Sequence, residues 1–237
     1  MIEASLSALI LFMATLVSST FGFGSALFAM PLLTLVLGLQ RATPLFGLVG
    51  PTIAAIILAT NWQRVEFAST WRLIVATLAG IPVGVYLLKA LPSPWIIHGI
   101  SVLLILYGVY RLAGARLPKV ESPLWAFPFG LLAGVLGGAY NTNGPPEVVY
   151  GNMRRWPPDQ LRATLQGYFL PTGIGILISH GLGGLWSMNM LQLYGISLPG
   201  ILIAIGLGGW CNQNLPIERF QVLLSVLLIV LGAMLWI

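Results

Sequence analysis

Between residues 137 and 156 the chain reads GGAYNTNGPPEVVYGNMRRW. Asn141, Thr142 and Asn143 bring neutral hydrogen-bonding side chains, Gly137, Gly138 and Gly144 bring bare backbone, and Glu147 brings one carboxylate. Amides, hydroxyls and uncovered peptide N–H groups suit a small anion, whereas a metal cation asks for a cluster of carboxylates, imidazoles or thiolates that the stretch lacks. Pro145 fits the first turn of a helix that begins just after Asn143-Gly144, because the donor that proline lacks is not needed there. Asn141, Thr142 and Asn143 then either cap that helix or offer donors to a ligand. A plainer stretch near the start, Thr20-Phe21-Gly22-Phe23-Gly24-Ser25, has the same glycine character. Gly22 and Gly24 permit close approach and unusual dihedrals; Phe23 makes the break aromatic, and Ser25 is its nearest polar group.

Two further residues bear on the same chemistry. Glu147 reads either as a first-turn carboxylate that satisfies the amides and dipole of its own helix or as a proton site coupled to transport. Gln166 either faces the same ligand as these donors or packs against a neighbouring helix. His98 and His180 fall near segment ends and read as interfacial, and Asn212, Gln213 and Asn214 read as loop residues.

The chain around these residues is overwhelmingly apolar. It has 57% hydrophobic and 7% charged residues with a mean hydropathy of +0.92, against roughly 25% charged for an ordinary soluble domain. Apolar stretches long enough to cross a hydrocarbon core, roughly 20 helical residues, recur at about 42–62, 69–89, 94–112, 160–180, 188–210 and 217–237. No soluble domain is left over. The first residues lack the basic start of a signal peptide, so Met1 is expected to remain. Cys211 is the only cysteine, which excludes an intrachain disulfide and a thiolate metal cluster. No cofactor is implied. The net charge of +5 lies in short loops between apolar segments, where it orients a chain in the bilayer and gives no sign of nucleic-acid binding.

The chain also repeats. Gly22 to Pro31 has the spacing of Gly137 to Pro146; Arg41-Ala42-Thr43 recurs as Arg162-Ala163-Thr164; Ser101-Val102-Leu103-Leu104-Ile105 recurs as Ser225-Val226-Leu227-Leu228-Ile229, and Gly108 is matched by Gly232. The expected organisation is therefore a first transmembrane repeat over 1–112, a polar cytoplasmic linker over 113–122 and a second repeat over 123–237. Each half opens with two short apolar runs, 5–19 and 24–38, then 123–139 and 145–153. At 1.5 Å per residue a 15-residue run reaches only about 22 Å, so each pair reads as a re-entrant hairpin or as two tilted short spans.

Basic residues test this arrangement. If each pair comes in and leaves on one face, Arg64, Arg72, Arg111, Arg116, Lys119, Arg154, Arg155, Arg162 and Arg219 share one side, and only Arg41 and Lys89 lie opposite. Such an imbalance marks the cytoplasmic face. With three full crossings after each hairpin, the second half is upside down relative to the first, and both termini lie outside the cytoplasm. The fold class is thus an all-α polytopic membrane protein of two inverted repeats, each a re-entrant or broken-helix hairpin followed by three transmembrane helices. All eight tryptophans fall near segment ends, where amphipathic indoles settle. Irregular backbone at membrane depth must line a cavity or be shielded by protein, and half-helix N-termini meeting there aim N–H groups and a partial positive charge at an anion.

The stretches FGFGSALFAMPLL and LLAGVLGGAYNTNGPPEVVYGNMRRWPPDQLRATLQGYFLP resemble the TauE/SafE sulfite exporter family of bacterial permeases, over essentially the whole chain. The resemblance implies export of sulfite, organosulfonates or similar small sulfur-containing anions across the inner membrane, driven by an ion gradient. Many members have Gly-Gly-Pro where this chain has Asn143-Gly144-Pro145-Pro146, and the added donors bear on which anion fits. The candidate substrate-binding residues are Gly22, Phe23, Gly24 and Ser25 at the first break, Asn141, Thr142, Asn143 and Gly144 at the second, and Gln166; the expected partners are a small anion and the lipid bilayer, with oligomerisation left open. A passive anion channel fits the same cavity, and an intramembrane enzyme is disfavoured because no paired histidines, Gly-x-Ser-x-Gly or acidic pair occurs.

Overall fold

The computed structural model describes residues 2–114, 117–214 and 217–236; Met1 and Arg116 lie outside the described residues, as does the side chain of Arg219. The described residues are helical throughout their ordered elements and contain no strand. The first half comprises α1 (Ile2–Phe21), α2 (Ser25–Leu37), α3 (Leu39–Asn61), α4 (Phe67–Ala90) and α5 (Ser93–Leu112). The second comprises α6 (Ala126–Tyr140), α7 (Gly144–Met153), α8 (Pro158–Leu182), α9 (Met188–Asn214) and α10 (Ile217–Trp236). Among the described residues six segments are long and apolar enough to cross a membrane: α1, most of α3, α4, α5, α6 with the 3-10 turn before it, and α9.

Of the two readings of each opening pair, re-entrant hairpin or tilted short spans, the first legs have the length of spans: α1 extends the run at 5–19 to 20 residues, and the segment Pro123–Tyr140 has 18. The hydroxyl residues Ser18, Ser19 and Thr20 do not stop α1. Thr20 Oγ1 donates back to Leu16 O at 2.8 Å, and a methyl on Gly208 of α9 would lie 2.5 Å from Ser19 Cβ, so small residues here are required by helix–helix contact. The short legs are α2, with 13 residues, and α7, with 10, about 20 and 15 Å long.

Each long–short pair folds back on itself. Glu3 at the start of α1 pairs with Arg41, just beyond α2, at 3.1 Å, and Asn189 Oδ1 accepts from the same guanidinium at 3.0 Å. In the second half, Val120 N–H donates to Met153 O at 3.0 Å and Arg155 Nη2 to Leu117 O at 2.8 Å, which holds the segment before α6 against the end of α7.

Small residues set the helix pairings. Gly80 and Gly84 of α4 lie so close to α6 that a methyl on either would overlap the backbone around Leu131, Gly134, Val135 and Gly138. This is the close approach that small-xxx-small spacing allows in lipid, where apolar burial drives no helix association. In the same way α1 packs on α9, and α5 on α10. In that last pair a methyl on Gly108 would lie 2.8 Å from Ser225 O, and one on Gly232 would lie 2.9 Å from Ser101 O; Ser101 also donates its hydroxyl proton to Gly232 O. Leu9, Val75, Leu106, Leu131, Ile178 and Leu202 point outward, as lipid-facing side chains do. Seven of the eight tryptophans are exposed; the eighth, Trp156, packs edge-on against Tyr150.

Candidate functional site

The first break runs from Gly22 to Gly24. Both glycines have left-handed backbone, φ 87° and 99°, which a Cβ would strain. Stopping a helix inside protein leaves its last carbonyls without intrahelical donors, and here three side chains from the second half supply them. Arg162 Nη2 donates to Ser19 O at 2.6 Å, Asn212 Nδ2 to Thr20 O at 2.6 Å and Gln166 Nε2 to Gly22 O at 2.5 Å. Arg162 and Gln166 can do this together because residues four apart share one face of α8. The C-terminal end of α1 carries partial negative charge, so a guanidinium there is favourable.

The second break is closed mainly by its own backbone. Asn141 adopts left-handed geometry, φ 54°, which asparagine tolerates better than other side chains. Its N–H donates to Gly137 O at 2.7 Å and the Thr142 N–H to Leu136 O at 3.3 Å, completing the last turn of α6. Asn141 Nδ2 then reaches Thr43 O at 2.5 Å, Thr142 Oγ1 reaches Tyr140 O at 3.1 Å and Asn143 Nδ2 reaches Thr172 Oγ1 at 3.3 Å. These side chains do not cap α7: neither Asn143 nor Gly24, the residue before α2, makes a side-chain cap.

Both breaks open on one cavity of about 60 Å³, and Phe23, Gly24 and Ser25 line it from one side, Asn141, Thr142, Asn143 and Gly144 from the other. The cavity exceeds several-fold the roughly 10–15 Å³ that one buried water needs, enough for a small oxyanion. Gly50 and Pro51, at the middle of α3, and Phe169 and Gly173, near the middle of α8, complete its wall. The site therefore sits about half-way along the two helices that run beside it. The first amides of α2, Ser25 to Leu27, have no acceptor within their own helix, and Gly24 before them offers no side-chain cap. In α7 the Pro145-Pro146 pair removes two such donors, and the asparagines and Thr142 stand in their place. Asn141 and Gln166 each use one of two amide protons in the contacts above, which leaves the other for a guest.

Gln166, 1% exposed, therefore does both of the things expected of it: it lines the cavity and it packs, through Gly22 O. Gly22 itself is not part of the lining; it is pinned beneath Arg162, whose Cγ would lie 2.6 Å from a methyl at that position. Glu147 also lies off the lining. It is 2% exposed, and neither of its carboxylate oxygens accepts a hydrogen bond among the described residues, so it does not satisfy the amides of its own helix. It stands within electrostatic reach of the buried Tyr168 phenol, which hydrogen-bonds Thr77 Oγ1 at 2.8 Å.

Two expectations are corrected. His180 is not interfacial: it is fully buried, with Nε2 2.9 Å from Gly138 O, because α8 continues past it and lays it against the end of α6. Asn212 to Asn214 are not loop residues but the last turn of α9, and Asn212 serves the first break. Both were hidden by their closeness to segment ends in the sequence. Arg162 was visible as a member of a repeated triplet and as one of the orienting charges, not as a partner of the first break; its spacing of four from Gln166 on a helix is the signal that joins the two.

The chain has no match among curated proteins or solved structures. The family profile described as "Sulfite exporter TauE/SafE" matches residues 7–235, and over that span, nearly its whole length, the chain belongs to the TauE/SafE sulfite exporter family of membrane transporters.

Proposed function

We propose that this protein is a secondary exporter of sulfite, an organosulfonate or a similar small sulfur-containing anion, bound at the cavity between the two helix breaks. The observation that carries the reading is the convergence of residues 23–25 and 141–144 on that cavity, half-way along α3 and α8. Neutral donors and the free amides of α2 hold the anion without a fixed countercharge, which favours release as well as capture. Transport is coupled to a proton gradient through Glu147, and the support for this is a buried carboxylate with no partner of its own. Leaving such a group charged is costly, and an intramembrane carboxylate of this kind is a functional group by default.

The proposal includes two inverted repeats, 1–112 and 123–237, joined by the linker 113–122, in the bacterial inner membrane with both termini periplasmic. Partner exchange supports it: α1 packs on α9 while α6, its counterpart in the second half, packs on α4, the counterpart of α9; α3 and α5 pack on their own counterparts α8 and α10. Such an exchange is what a pseudo-two-fold axis produces, and an odd number of crossings in each half would lay that axis in the membrane plane.

The test is flux of radiolabelled sulfite, sulfate, sulfoacetate and thiosulfate into proteoliposomes, with and without a pH gradient. Sulfite or sulfoacetate should accumulate uphill only with the gradient; downhill flux alone would make the protein a channel. Asn143→Ala should raise KM, and Glu147→Gln should abolish gradient-driven accumulation while sparing exchange. Wild-type behaviour of both variants removes these residues from the site. Tags at both termini should be accessible from the periplasm; a cytoplasmic tag at either end overturns the topology.

A further inference from the structure

The repeated Arg-Ala-Thr triplet places its two arginines in unlike surroundings. Arg41 is neutralised by Glu3 at 3.1 Å. Arg162 makes no salt bridge among the described residues: Asp159, three residues before it, acts on it only at a distance and pairs instead with Arg64 at 3.0 Å. The Arg162 guanidinium spends one contact on Ser19 O, and its buried Nε donates to nothing among the described residues. Beside it lies a second cavity of about 230 Å³, whose polar wall is made by Ser19, Arg162, Asn212 and Gln213. Arg162 stands one turn before Gln166 on α8, about 6 Å along the axis, so this cavity adjoins the central one at the end of the molecule where Arg64 and Asp159 meet. A helix C-cap accounts for one N–H of the five that a guanidinium carries. It does not account for an open, amide-lined space against the remaining ones.

We propose that this cavity is a second oxyanion site, a vestibule in which Arg162, with the side-chain amides of Asn212 and Gln213, holds the transported anion before it reaches the helix breaks. A planar guanidinium fork matches the oxygens of a sulfite or sulfonate group, and two neutral amides complete the shell without adding charge. The division of labour is physical: a fixed cation draws the anion out of solution, and the neutral central site then takes it without binding it too tightly to leave. This inference rests on the anion-transport reading above.

The test is equilibrium binding of radiolabelled sulfite to the purified full-length protein. Gln213 is exposed and is not among the described side chains that hold the end of α1, so changing it should leave that end intact; size-exclusion profiles of each variant check that. Wild type should bind two sulfites per chain. Gln213→Glu should weaken one of them about tenfold or more by like-charge repulsion across the cavity, Gln213→Lys should not weaken it, and Asn143→Ala should weaken the other. A single site that responds to Asn143→Ala and ignores both Gln213 variants overturns the vestibule and leaves the central site standing. A single site that responds only to Gln213→Glu supports the vestibule and overturns the central site. No saturable binding overturns both. Loss of the Gln213-sensitive site to phosphatidylglycerol but not to phosphatidylcholine would make the oxyanion a lipid headgroup and overturn the solute vestibule.

Discussion

The breaks between α1 and α2 and between α6 and α7 solve one problem in two ways. Both interrupt a helix inside the protein, both start a short helix whose first turn faces the same cavity, and both must satisfy the carbonyls left behind. The second break does this largely with local means, a left-handed Asn141 and two backbone hydrogen bonds within residues 136–142. The first carries no polar side chain suited to the task and takes Arg162, Gln166 and Asn212 from helices more than a hundred residues away. The second break is therefore a local motif, and the first is a tertiary structure. Motion of α9 relative to α1 acts directly on the first break, whereas α8 touches both, through Arg162 and Gln166 at the first and Thr172 and His180 at the second.

The sharpest way to break this contrast is at the glycines. Gly22→Val meets two obstacles at once, a φ of 87° and Arg162 Cγ at 2.6 Å from the new Cβ. Left-handed backbone costs about 1–2 kcal/mol and overpacking about 1–3 kcal/mol, so thermal unfolding in detergent should show a loss of about 3 kcal/mol or no folded protein. Gly144, the first residue of α7, has ordinary backbone and meets nothing nearer than Phe169 at 3.5 Å. Gly144→Ala should stay within about 1 kcal/mol of wild type. Equal losses in the two variants would mean that the first break is no more constrained than the second.

A smaller effect probes the borrowed caps. Asn212→Ala removes the donor to Thr20 O, and Gln166→Ala the donor to Gly22 O. Hydrogen bonds between membrane helices are worth about 0.6 kcal/mol on average and about 1.7 at most, so each variant should lose about 1 kcal/mol. Because both serve the same four-residue turn, the double variant should lose less or more than the sum. Strict additivity in a double-mutant cycle would separate the two contacts and weaken the picture of a single assembled turn.

The same contrast explains what the sequence disclosed. The helical, membrane-spanning class follows from the apolar composition, and nearly every span is visible as an apolar run, because hydrophobic length alone decides what crosses a bilayer. The second break is legible for the reason given above: its chemistry is local, so Asn-Thr-Asn-Gly-Pro-Pro announces it. The first break is legible only as glycines. Its polar complement is scattered over α8 and α9, where Arg162 looks like one more orienting charge and Asn212 like the start of a loop. The length of α1 was misread because Ser18, Ser19 and Thr20 look like the end of an apolar run, when their small size is what lets Gly208 approach. Hydropathy scores a residue by its affinity for lipid; it says nothing of a residue that faces another helix.

The smallest expected loss is that of Asn141→Gly, and setting it beside Asn141→Ala separates the residue's two contributions. Its left-handed backbone suits glycine better than any other residue, while its side-chain amide holds Thr43 O at 2.5 Å. Asn141→Gly keeps the first and loses the second, with backbone entropy setting a further small cost, and should fall within about 1 kcal/mol of wild type. Asn141→Ala loses both and should cost about 1–2 kcal/mol more than the glycine variant. That ordering, Gly above Ala at a position inside an apolar bundle, is the reverse of helix preference and is expected only where a break is written into the local backbone. If alanine proves the more stable of the two, the second break is held from outside after all, as the first is, and the difference between them disappears.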